Sequence, residues 1–254
     1  MTVSCDTAAS ALVSTWEHLV AAIPDGWTRR EHGVVAAVTG VAIPTLNGVW
    51  PEQVELNERH IAEMLNEVAE TGVPHCLQLR PGTSQALSMM AEARGMVRQE
   101  PEPLMVLEDP VHLDAAQAVG RLNIRQLDPA HASLHAVTAA RGFGAPEELF
   151  LQLMTPAVVG RPGVRCYIGE LDGRAVTTGL GVTLGDFVGI FNIATDPNHR
   201  GQGFGAAVTA RAVIDGMNDG ATWSYLQSSP SGYGVYLRLG FTALEHWNCW
   251  VSAT

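Results

Sequence analysis

Apolar positions recur along this chain at two periods, and the switches between them mark its elements. Residues 11–23 (ALVSTWEHLVAAI) place Leu12, Trp16, Leu19 and Ile23 near helical spacing, which predicts a helix ended by Pro24-Asp25-Gly26. Gly33 to Val41 reads as a strand, separated by Pro44 and Asn47-Gly48 from Val49-Trp50. Over Glu58 to Glu70 the residues Ile61, Met64, Leu65 and Val68 fall at i, i+3, i+4 and i+7, the apolar stripe of an amphipathic helix. Thr71-Gly72-Val73-Pro74 stops it. A short strand over Cys76 to Leu79, a helix over Ser84 to Ala93 and a strand over Leu104 to Leu107 complete the first half.

The second half repeats the alternation. A strand is predicted over Leu122 to Leu127, then helices near Pro129 to Ala140 and Pro146 to Leu153. Arg165 to Leu171 and Ala175 to Leu184 are strand-like runs joined by Asp172-Gly173, a hairpin signal. Leu184-Gly185-Asp186 turns into a strand over Phe187 to Ala194. A helix follows with Ala207, Ala210, Ile214 and Met217 on one face, then a strand over Trp223 to Gln227, a short helix over Gly232 to Leu239 and a last strand over Thr242 to Val251. Between the halves, Glu108 to Gly120 carries Asp109-Pro110 and an alanine-rich polar stretch without strong periodicity. The reading is α/β (α+β by some schemes) in two domains, 1–115 and 116–254.

The halves also rhyme. Cys76-Leu77-Gln78, a helix, Ala93-Arg94-Gly95-Met96 and a strand parallel Tyr225-Leu226-Gln227, a helix, Leu239-Gly240-Phe241 and a strand. This self-similarity points to a duplicated domain.

Composition narrows the class. The chain has 254 residues, 46% hydrophobic and 16% charged, with a net charge of −11. That builds a real core and argues against nucleic acid or an anionic membrane as partner, since both select basic surfaces. Cys5, Cys76, Cys166 and Cys249 are scattered without a C-x-x-C pair, so neither zinc nor a redox pair is expected, and reduced thiols suit a cytoplasmic location. There is no export signal pattern and no apolar run of about 20 residues. His131 and His135, four apart, lack the context of a metal pair and are read as surface or satisfied histidines. Trp247 and Trp250 are read as core or interface, and Trp50 as a lining residue of an interdomain cleft.

The chemistry concentrates at Arg200-Gly201-Gln202-Gly203-Phe204-Gly205 and the following Ala206, between a strand and a helix. Glycines at alternating positions let the backbone curl tightly. Amides opening a helix make a seat for a phosphate-type anion, and Arg200 adds positive charge beside them. A P-loop would need a lysine and a hydroxyl that Phe204-Gly205-Ala206 does not supply, and a dinucleotide fingerprint would need a third glycine where Ala206 stands. The matching stretch of the first half, Pro51 to His60, contains no glycine and three acidic residues.

With Pro197 three residues before Arg200, the R-x-x-G-x-G pattern of Arg200, Gly203 and Gly205, and the Y-x-x-L-G-F run Tyr236 to Phe241, the second half resembles the GNAT superfamily of acetyl-coenzyme A-dependent N-acetyltransferases. The resemblance covers about 122–254 and reaches the first half as a degenerate echo, as in tandem GNAT proteins. It implies two GNAT-like domains, each a mixed, mostly antiparallel sheet flanked by helices, with a cleft where the fourth and fifth strands splay. It implies acetyl-CoA as co-substrate, a pantetheine arm along Ile193, Ala194 and Thr195, and a pyrophosphate on the amides of Gly201, Gln202, Gly203, Phe204, Gly205 and Ala206. Ser229 stands where many relatives have a cofactor-contacting asparagine; it also suits a helix N-cap. Tyr236 matches the tyrosine that gives a proton to the departing thiolate. The acceptor is expected to be a small-molecule or peptide amine attacking directly in a ternary complex, with no metal, and with a homodimer compatible. No carboxylate stands on the fourth or fifth strand run. Glu170, Asp186, Glu245 and His246 near strand ends, or a water chain, are the options for a base. The alternative is a non-catalytic acyl-CoA-binding or regulatory module.

Overall fold

The computed structural model describes residues 2–253 apart from 112, 114, 115, 117 and 118. The expected boundary between 115 and 116 therefore falls at a residue outside those described. The first half runs α1 (Cys5–Val20), β1 (Trp27–Glu31), β2 (Val34–Val38), β3 (Asn47–Pro51), α2 (Glu58–Glu70), β4 (Cys76–Leu79), α3 (Gln85–Ala93), β5 (Val97–Arg98) and β6 (Glu102–Leu107). The second runs β7 (Asn123–Leu127), α4 (Ala132–Phe143), α5 (Glu147–Leu153), α6 (Pro156–Val159), β8 (Val164–Leu171), β9 (Arg174–Leu184), β10 (Phe187–Thr195), α7 (Phe204–Asn218), β11 (Trp223–Gln227), α8 (Pro230–Arg238) and β12 (Thr242–Val251).

Most elements lie where periodicity put them. The α2 stripe is buried as predicted, at Ile61, Met64, Leu65 and Val68, each burial contributing roughly 1.5–3 kcal/mol. The Asp172-Gly173 turn has both residues at positive φ, 50° and 78°, as a two-residue hairpin requires. The first helix begins earlier than the apolar spacing showed. Ser4 caps it, its hydroxyl accepting from the Thr7 amide, and its first turns bury Ala8 and Ala9, which carry too little apolar surface to stand out in a periodicity. β1, whose Arg29-Arg30-Glu31 run shows no apolar alternation, is a strand the periodicity does not predict, and it pairs with β2.

The strands form one mostly antiparallel sheet in the order β1-β2-β3-β4-β12-β6-β11-β10-β9-β8-β7, with β5 beside β12. The sheets of the two halves are joined because each half lends its last strand to the other. β6, from the first half, lies between β11 and β12. β12 pairs with β6 through Thr242–Trp247 and with β4 through Asn248–Val251. The exchange leaves neither half an open edge at the junction. α1, α4 and α5 cover one face; α2, α3, α7 and α8 cover the other. Trp50 is fully buried within the α1 core, so it does not line an interdomain cleft, contrary to expectation. Trp247 and Trp250 are core residues. No helix among the described residues is long and apolar enough to cross a membrane.

Candidate active site

β10 and β11 run parallel, but their register holds only at Phe187–Trp223, Val188–Ser224 and Gly189–Tyr225. Beyond Gly189 the strands part. The cause lies in β10 itself. Its pairing with β9 slips between Phe191 and Ala194, and Asn192 there has φ of 50°, a conformation asparagine tolerates better than most residues. Such a bulge bends a strand out of its sheet. Hydroxyls of β9 take up the displaced carbonyls, Thr178 donating to Asn192 O at 2.9 Å and Thr177 to Ala194 O at 2.8 Å.

The gap is a cleft of about 910 Å³. Its walls include Ile193, Ala194 and Thr195 of β10, the turn before α7, and Ser229 and Tyr236 from α8 and its cap. The structure thus gathers eleven of the twelve expected residues around one cavity. Gln202 is exposed and is not among the lining residues; its predicted part is a backbone amide only.

The turn is shaped for this. Gly201 and Gly203 have φ of 75° and 82°, which other residues adopt only under strain. Gly203 is the N-cap of α7 and brings no side chain to the cap. The first helical bond is Ala207 N–H to Gly203 O, 3.0 Å, so the amides of Phe204 to Ala206 are the orphan donors of a helix start. Arg200 does not serve as a free charge: it donates to Gly142 O at 2.7 Å and Thr195 O at 3.3 Å, clamping the turn to α4 and β10. Asp196 adds a second clamp. Its carboxylate accepts from the Asn198 amide at 2.9 Å and from Arg141 at 3.4 Å, and the amide above all holds its pKa below the usual range. The approach of α4 is close enough that a Cβ on Gly142 would stand 2.7 Å from Ala194 Cβ. Gly142 and Phe143 also line the cleft. Nothing in their local sequence signals this, since the contact joins elements some fifty residues apart.

Ser229 is the N-cap of α8, its hydroxyl accepting from the Gly232 amide at 3.2 Å. Tyr236 lies about two turns further on. Its ring packs edge-on against Phe241 at 5.9 Å, and burial pushes its phenol up to about 12, so it keeps its proton and donates at neutral pH.

None of the four carboxylate or imidazole options lines the cleft. Glu170 is held by Arg125 at 2.8 Å. Glu245 is gripped by Arg80 at 2.8 and 3.0 Å and by the Trp247 indole at 2.9 Å. Asp186 sits in the β9–β10 turn, at the end where β10 and β11 are still paired. His246 is exposed beside Tyr233. Of the two histidines spaced four apart, His131 stands just before α4 and pairs with Asp128 at the surface. His135 departs from expectation: it is fully buried, neither ring nitrogen has a partner among the described residues, and burial lowers its pKa to about 4. Among the described residues no cluster of three or more His, Cys, Asp or Glu is placed to hold a metal.

A second, smaller cavity of about 40 Å³ opens on the other face of β10, beside the same bulge. Trp16 and Leu19 of α1, Leu46, Met154, Phe191 and Asn192 form most of its wall.

The family model of the acetyltransferase (GNAT) domain matches residues 162–243. No curated protein matches the sequence. Among solved structures, a GCN5-related N-acetyltransferase from Kribbella flavida superimposes with a TM-score of 0.69 at 17% identity, over 100% of this chain and 97% of its own. One from Sphaerobacter thermophilus gives 0.60 at 14% identity, over 86% and 76%. A tandem GNAT protein from the clavulanic acid biosynthesis pathway gives 0.59 at 14% identity, over 98% and 96%. Residues 162–243, which carry the bulged strand and the glycine turn, thus match the GNAT acetyltransferase domain model, within a chain that shares the fold of a tandem GNAT protein over nearly its whole length.

Proposed function

We propose that this protein is an acetyl-CoA-dependent N-acetyltransferase whose second half carries the reaction. One observation carries the reading: a single cleft runs from the turn at Gly201 and Gly203 to Ala206, along the edge of β10 at Ile193 to Thr195 that β11 leaves unpaired, to Tyr236. A pyrophosphate suits the first part, because backbone amides are preorganised donors that bury no charge of their own. An extended amide-bearing arm suits the second, by adding to a strand edge. A thioester sulfur suits the third.

The amine nitrogen attacks the thioester carbonyl carbon and the C–S bond breaks, its electron pair staying on sulfur. The amine's surplus proton passes to water. Amides of β10 near Ile193 and Ala194 face the place where the oxyanion develops. Tyr236 donates to the sulfur. A phenol held at about 12 does not surrender its proton completely to a thiolate whose acid lies near about 8.5, so its contribution is chiefly a hydrogen bond to the developing charge. Ser229 borders the same space and orients the arm while capping α8.

The rival reading, a non-catalytic acyl-CoA-binding module, draws on one fact: no carboxylate lines the cleft among the described residues. Thiol release from acetyl-CoA over a panel of amines separates the two. Turnover supports the enzyme; cofactor binding by calorimetry without turnover of any amine supports the module.

A further inference from the structure

β10 is the wall shared by two cavities. Ile193 to Thr195 face the large cleft, and Phe191 and Asn192 face the small one on the opposite side of the sheet. The bulge at Asn192 stands between them: Asn192 lines the small cavity and the next residue, Ile193, lines the large cleft. Resting on the acetyl-transfer reading above, we infer that the small cavity receives the acceptor, and that the acceptor is a primary amine on a short aliphatic chain with no second charge.

Size and charge set that class. About 40 Å³ is room for roughly three water-sized groups, a chain of a few carbons. No lining residue is ionisable; the polar side chains, Asn192 and the Trp16 indole, are neutral. Most charged groups on the surrounding elements are engaged elsewhere or lie apart; Arg161, just past α6, is half-buried with its Nε unpartnered among the described residues, and it is not a lining residue. On α1, Glu17 faces Arg30 at 3.3 Å and His18 bonds Pro162 O at 2.9 Å. On α5, Glu147 and Glu148 are exposed in its first turn, and on β9 Arg174 is exposed. On α4, His135 is neutral in its burial. A second ammonium or a carboxylate on the substrate would therefore enter without a partner, which is strongly unfavourable.

The same wall supplies what the missing carboxylate would have done. An apolar surrounding disfavours the ammonium form, so the cavity selects from solution the neutral amine, which is the nucleophile. The proton is left in bulk water before binding, and no base on the protein is required.

The test uses three amines of one length: n-butylamine, 1,4-diaminobutane and 4-aminobutyrate. The expected kcat/KM for n-butylamine exceeds that of the other two by about 10²-fold. In Leu46→Asp, a half-buried position on the rim, the preference should move toward 1,4-diaminobutane. Equal or better turnover of either charged amine by the unaltered protein overturns the inference and leaves the acetyl-transfer reading standing. Calorimetry with N-butylacetamide, the product, separates the opposite failure: binding that Leu46→Asp weakens, without turnover of any amine, keeps the cavity assignment while the transfer reading falls. The pH profile is a further check. Log kcat/KM should climb with unit slope toward the pKa of the amine, and the limb should move to lower pH with the less basic 2,2-difluoroethylamine. A limb that stays in place when the amine changes puts the base on the protein and overturns selection of the neutral amine.

Discussion

The two halves end a strand and begin a helix at corresponding points, and they finish the junction in opposite ways. Before α7 the cap is Gly203, left-handed and without a side chain, so the helix-start amides face the cleft. Before α2 the cap is Asn57, whose side-chain oxygen accepts from the amides of Arg59 and His60 at 3.1 and 3.2 Å. The first half satisfies its own helix start, and Glu58 follows at once. The strands differ in the same sense. β10 is nine residues long and bulged, and parts from β11. β3 has five residues, all buried, and the gap beyond its end is bridged by Arg80, which donates to the Glu52 carbonyl and pairs with Glu245 and Asp6. One scaffold can thus hold a ligand seat or a plug, and a handful of residues decides which.

The sharpest way to break this contrast is Gly203→Glu. A side chain at φ of 82° and a carboxylate in the amide cradle should lower coenzyme A affinity by about 10³-fold or more, read by calorimetry; unchanged affinity would remove the seat from this turn. The plug is next. Arg80→Met strips the paired charge from Glu245, whose side chain is 11% exposed, and should cost about 3 kcal/mol in denaturant unfolding without creating a coenzyme site. If the variant binds coenzyme A in its first half, Arg80 alone is what closes that slot. Tyr236→Phe should reduce kcat about 10²-fold while cofactor affinity holds; full activity would make the tyrosine structural. Because burial raises its pKa, the protonated donor persists as pH climbs past the ordinary tyrosine value of 10.0, so activity should show no alkaline loss from this group there. The smallest effect is expected from Asn57→Ala, about 1 kcal/mol of stability lost with the cap and no change in coenzyme binding. A gain in coenzyme affinity would show that the first half is blocked by its cap rather than by its strands.

The turn and Tyr236 were legible because their signals are local: glycines at fixed offsets, a tyrosine a set distance before Leu239-Gly240-Phe241. The α2 stripe was legible because four apolar side chains recur within thirteen residues. Asn192 passed unnoticed as the pivot of β10, since an asparagine in a strand run carries no mark of a positive φ. Gly142 and Phe143 reach the cleft only through the packing of α4 on β10. The burial of His135 is not readable from the sequence, because its alanine-rich helix does not reveal how tightly that face is covered.

By itself the sequence determined most of the elements, the repeated pattern and the place where an anion can sit, because each depends on a spacing within one segment. The tertiary structure alone decided three things. It exchanged β6 and β12 between the halves, parted β10 from β11 to make a cleft, and set an uncharged cavity on the far side of the bulge. Those depend on which edges pair and which faces meet between segments from a few dozen to more than a hundred residues apart. No period along the chain encodes that, because edge pairing and burial are settled by the whole set of competing contacts at once.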